Sequence, residues 1–118
     1  MEVVKERFED AGEPDAQGFY EYYYSGYLYR FRFGREGFVA RQYDDTPGEV
    51  GFLMYEIKTT RKWKAQQFNV VPYDNPAFRD AVKHLREHEK IHRILVLLND
   101  YVPVDMEQME QATNQAYR

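Results

Sequence analysis

From Tyr27 to Phe33 every second residue is aromatic, with Leu28, Arg30 and Arg32 between them. A period of two is that of a strand with one buried face. Gly34-Arg35-Glu36-Gly37 is a connection of hairpin length, and Asp44-Asp45-Thr46-Pro47-Gly48 forms a second turn cluster. The stretch over 27–57 therefore predicts a three-stranded antiparallel meander. Further along, Phe68 to Val71 reads as another strand. Asp74 or Asn75 can cap, and Pro76 open, a helix over about 76–89, whose inward stripe is Phe78, Ala81, Val82 and Leu85. The unbroken apolar run within 91–98 suits a strand covered on both faces in the interior of a sheet. Asp105 then caps a last helix, over about 105–117, with Met106, Met109, Thr113 and Ala116 on one side. That stripe is thin, so the helix needs a neighbour.

Upstream of the meander the pattern is weaker. Val4 and Phe8 lie four apart and Gly12 offers a stop, which predicts a short helix over 1–12, with a strand through Val3 and Val4 as the competitor. Gly18 to Tyr24 reads as an aromatic strand or an extended approach to the meander. The expected architecture is α+β within a single domain, 1–118: an antiparallel sheet of four to five strands with the 76–89 helix across one face. Residues 1–17 are expected to be loosely attached.

Composition narrows the function classes. At 43% hydrophobic and 31% charged, the chain is that of a globular protein. It has no apolar run long enough for a bilayer and no charged-then-apolar leader, so no membrane contact and a cytoplasmic location are expected. With no cysteine, thiolate catalysis, disulfides and Cys-ligated metals are all excluded. The net charge of −4 is unevenly spread. Residues 1–29 hold seven acids and two bases, a net of −5, whereas residues 30–64 hold five acids and eight bases, a net of +3.

His84, His88 and His92 follow one another at intervals of four. Two histidines so spaced on a helix share a face, so His84 and His88 are the candidate metal ligands, against the plainer alternative of a solvated helix flank. Asp44 and Asp45 have the composition of an acid–base pair, yet Asp before Thr-Pro-Gly is ordinary turn chemistry. Ser25 is the only serine and lacks a nucleophile-elbow context, and Gly34-x-x-Gly37 lacks the features of a phosphate loop. The reading leans against an enzyme, and no cofactor is expected.

What remains is surface. The chain has 11 tyrosines, more than a domain of this size hides, and Tyr, Trp and Arg concentrate at interface hot spots. The leading expectation is a non-enzymatic interaction module, for example a toxin-neutralising or regulatory protein, that binds another protein or itself. Its expected contacts are Tyr22, Tyr24, Tyr27, Tyr29, Tyr43, Trp63, Met106 and Met109. The alternative is a nucleic-acid-binding accessory using Arg30, Arg32, Arg41, Lys62, Trp63 and Lys64 in the basic aromatic segment, disfavoured by the acidic net charge. A third reading is a small-molecule site between the 76–89 helix and the sheet.

Overall fold

The computed structural model describes residues 1–20 and 23–107. Its strands are β1 (Glu2–Ala11), β2 (Tyr23–Phe33), β3 (Glu36–Tyr43), β4 (Glu49–Lys58), β5 (Trp63–Gln66), β6 (Arg93–Leu97) and β7 (Pro103–Asp105), with one long helix, α1 (Pro76–His88). They form one seven-stranded sheet in the order β1-β2-β3-β4-β6-β7, and β5 pairs the far half of β4. The meander holds: β2, β3 and β4 are antiparallel neighbours. The sheet is larger than the four to five strands expected and is mixed, because β6 runs parallel to β4 after the chain crosses over through β5 and α1.

Three further expectations are corrected. Residues 2–11 are a strand, not a helix, paired with β2 along their whole length. Val4 and Phe8 explain the misreading: residues four apart share a face in a strand as well as on a helix. Phe68 to Val71 is no strand and makes only an isolated bridge, Phe68 to Leu98. Thr59 turns the chain back early, its hydroxyl and its N–H both donating to the Lys62 carbonyl (2.8 and 2.9 Å), so the pairing partner of β4 is the polar segment 63–66. The Phe68 ring is drawn into the core instead, stacked 6.4 Å from Phe38. Finally, β6 is covered on one face only. Ile94 and Val96 are buried whereas Leu95 and Leu97 are half-exposed, since among the described residues no layer lies on the other side.

Parity along the strands decides what α1 covers. Tyr29 and Phe31 of β2, Phe38 and Ala40 of β3, Val50 and Phe52 of β4, and Ile94 and Val96 of β6 are buried with Phe78, Ala81, Val82 and Leu85 of the helix. The β3–β4 register shifts between Val39 and Ala40. This leaves Leu53 as a bulge, so that both Phe52 and Tyr55 turn toward the helix side. The start of α1 is as expected: Asn75 Oδ1 accepts from the N–H groups of Ala77 (2.9 Å) and Phe78 (3.3 Å), and Pro76 occupies the first turn. Asp105 Oδ1 accepts from the N–H of Glu107 at 2.9 Å. No C-terminal helix is seen among the described residues; beyond Glu107 the one expected over 105–117 lies outside them. No helix among the described residues is long and apolar enough to cross a membrane.

Candidate interaction surface

The last pair joining β2 to β3 is Gly26 with Tyr43, yet β1 and β2 continue past it. Glu9 faces Ser25, Asp10 faces Tyr24 and Ala11 faces Tyr23, which makes a two-stranded arm beyond the body of the sheet. Its tip is held locally. Asp15 Oδ1 accepts from the N–H groups of Gln17 and Phe19, each at 2.9 Å. The N–H of Asp15 donates to the Phe19 carbonyl at 2.8 Å, and Gly18 turns the chain at φ +86°, a conformation open to glycine at no steric cost.

This arm shows its rings to solvent. Phe19 is 69% exposed, Tyr20 52%, Tyr23 51% and Tyr24 47%. Tyr20 lies 6.0 Å from Tyr23, and at the root Tyr43 contacts Tyr24 at 5.7 Å and Phe8 at 6.0 Å. The same stretch, 9–24, carries five acids (Glu9, Asp10, Glu13, Asp15, Glu21) and no base. A hydrogen bond with the Glu9 carboxylate raises the Tyr23 phenol above its ordinary value.

An ionic clamp fixes the root to the β3–β4 turn. Arg7 grips Asp44 with both terminal nitrogens, and Ser25 Oγ donates to Asp44 Oδ2 at 2.6 Å. The Arg7 bond, then the Ser25 bond, hold the Asp44 carboxyl down at about 2, against 3.8 in an open chain. Asp44 is thus a structural anion and not a proton donor at neutral pH. The clamp's contribution to stability is fully present above pH 3.8 and is lost as pH falls through about 2. Amide exchange at Ser25 and Asp44 should accelerate over that window, and Asp44→Asn should produce the same loosening at neutral pH.

The expected contact residues separate. Tyr24 and Tyr43 meet at the arm's root. Tyr27 is half-buried with Lys5 4.4 Å and Arg7 5.0 Å from its ring centre. Tyr29 is fully buried, its hydroxyl donating to Gln42 Oε1 at 3.0 Å, and Met106 is 3% exposed, so neither offers surface. Trp63 stands at the far end of β4; Tyr22 and Met109 lie outside the described residues. Phe19, Tyr20 and Tyr23 were not among the expected contacts. Pro14 and Gly18, which bracket a turn, were the signal that places Phe19 and Tyr20 at a tip.

The cationic set also divides. Arg30, Arg32 and Arg41 share the open face, but each is engaged there. Arg30 pairs at 3.5 Å with Glu56, which is 6% exposed; Arg32 stacks 4.3 Å from the Trp63 ring and Arg41 4.6 Å from Tyr43. Lys64 sits opposite Ile57 and so points to the helix side, away from Trp63. The His84 and His88 rings are 4.9 Å apart, with His84 edge-on to Phe31 at 5.8 Å. Burial, with His88 adding to it, pushes the His84 imidazole below its ordinary value, which keeps it neutral at pH 7. His92 packs over Gly48 at the entry to β6. Among the described residues no group of three His, Cys, Asp or Glu is placed to hold a metal ion.

Two of the surface concavities bear on a small-molecule site. A cup of about 210 Å³ on the open face is lined by Arg41, Tyr43, Gly51, Leu53, Leu95 and Leu97, smaller than the roughly 300–1,000 Å³ of ligand pockets. A shallow groove of about 480 Å³ runs outside α1, along Tyr73, Arg79, Val82 and Met106. Compared with protein-family models, with curated proteins and with solved structures, the chain matches none.

Proposed function

We propose that this chain is a non-enzymatic protein-interaction module whose contact surface is the β1–β2 arm. One observation carries the reading: four aromatic side chains, each about half exposed or more, stand on a segment with five acids and no base. Large rings held in water on a braced hairpin are poised to desolvate against a partner, and they give contact area for few rotatable bonds. The surrounding carboxylates favour a basic partner surface and speed its capture. A small acidic protein that covers a basic enzyme, as a toxin-neutralising protein does, is the version this charge supports. The lack of cysteine supports a cytoplasmic setting. The open-face arginines give less support to nucleic acid, because their charge or their ring-facing planes are already engaged.

Capture from a cell extract on immobilised wild type, beside the double variant Phe19→Ser and Tyr20→Ser, tests the proposal. The variant should melt at the wild-type temperature and lose the basic proteins that the wild type retains. An identical captured set on both would end the assignment to the arm.

A further inference from the structure

The acids of the arm, which its sequence does not balance with any base, have a counterpart in the same chain. Residues 57–67 hold four bases (Lys58, Arg61, Lys62, Lys64) and no acid. They form the β4–β5 turn and its flanks, are all exposed, and have no carboxylate partner among the described residues. Beside them Ile57 is 41% exposed and Trp63 is half-buried, so this end too offers apolar surface.

The two clusters cannot neutralise each other within one molecule. Strand β4 starts next to the clamp at the arm's root and ends at the basic turn. Its 10 residues span about 33 Å, and charges separated by several times the roughly 8 Å screening length at physiological salt barely interact. We infer that the chain pairs with a second copy of itself, side by side and antiparallel, the acidic aromatic arm of each lying against the basic β4–β5 turn of the other. This rests on the arm being the contact surface, and it names the partner. A two-fold axis makes both contacts at once, so each attraction is counted twice and the assembly closes. Head-to-tail stacking would use each contact once and leave ends to grow.

Charge reversal tests the pairing without disturbing the fold. The arm variant is Asp10→Lys with Glu13→Lys, which spares Asp15 and its bonds at the tip; the turn variant is Lys62→Glu with Lys64→Glu. In sedimentation velocity at low salt the wild type should be a dimer that dissociates as salt rises. Each variant alone should associate roughly tenfold more weakly or worse, since the net charge of 9–24 falls from −5 to −1 in one and that of 57–67 from +4 to 0 in the other, removing most of the attraction at both contacts. An equimolar mixture of the two should pair more tightly than either variant alone, because the unaltered basic turn of the arm variant then meets the unaltered acidic arm of the turn variant. A wild type that stays monomeric at roughly 0.5 mM, a mixture that fails to pair, or a mass that climbs past the dimer overturns the inference. Arm-dependent capture of a foreign basic protein would survive such a result. Loss of that capture with the mixture still pairing would instead remove the broader reading and leave self-association.

Discussion

Phe78→Ala should lower stability by about 3–5 kcal/mol, the loss typical of a truncated and fully buried phenylalanine. The ring has no exposed surface and lies 4.8 Å from Phe52, 5.5 Å from Phe38 and 6.4 Å from Phe68. It thereby ties the first turn of α1 to β3, to β4 and to the loop after β5. Truncation leaves a void among three rings that cannot all close on it. Against a total of about 5–15 kcal/mol for a domain, this is enough to populate the unfolded chain on mild heating. Urea unfolding followed by the fluorescence of Trp63, the single tryptophan, measures it. Phe19→Ala is the matched control, the same deletion at a ring 69% exposed, and should stay within about 0.5 kcal/mol of wild type. Equal losses at the two positions would mean that the arm's ring is packed in solution, and the proposal for the arm would lose its footing.

Those two phenylalanines show what was legible in the residues. Phe78 follows an Asn-Pro helix start and sits in a stripe at helical spacing, so its burial could be read directly. The meander was legible for a similar reason: alternation and turn chemistry agree over 27–57. Phe19 carries no such mark. Its exposure depends on how far β1 and β2 pair beyond the end of β3, and that depends on residues 2–11 being a strand. The spacing of Val4 and Phe8 left that undecided. The tyrosines follow the same logic. Tyr24 and Tyr29 are chemically alike and five apart, so strand parity sends one to the open face and the other beneath the helix. Composition counted the aromatic surplus correctly but had no means of sorting it. Charge behaved likewise: the basic segment was visible in the residues, whereas the burial of Glu56 beside Arg30 and the stacking of Arg32 on Trp63 arise only when three strands lie side by side. What remains unopposed is the turn at the end of β4, and the acids that answer it lie at the other end.

Gly26→Ala should cost about 3 kcal/mol, at the upper end of overpacking losses, although it adds a single methyl group. Gly26 sits where β1, β2 and β3 last run abreast, facing Phe8 on one side and Tyr43 on the other. A Cβ there would overlap the Gln42 carbonyl oxygen and come within 3.0 Å of the Phe8 ring. The ring can swing aside, but the carbonyl belongs to the ladder and cannot, so β2 and β3 must part at the root of the arm. Gly51→Ala, in β4, separates this effect from the general response of a strand glycine. Nothing lies within 4 Å of its added carbon, and its stability should change by no more than about 0.5 kcal/mol. The position of the damage matters as much as its size. Parting at Gly26 pulls Ser25 away from Asp44 and opens the clamp with Arg7, so exchange should quicken first at Ser25, Tyr43 and Asp44 while α1 and β6 stay protected. The arm would then swing on a loosened root, and ordering its rings for contact would carry an entropic cost that the wild type avoids. Partner or self-association should therefore weaken in Gly26→Ala even at temperatures where the core remains folded. If association were undiminished once the root had opened, the rigid mounting of the arm would be irrelevant to its use, and the tip alone would hold the contact.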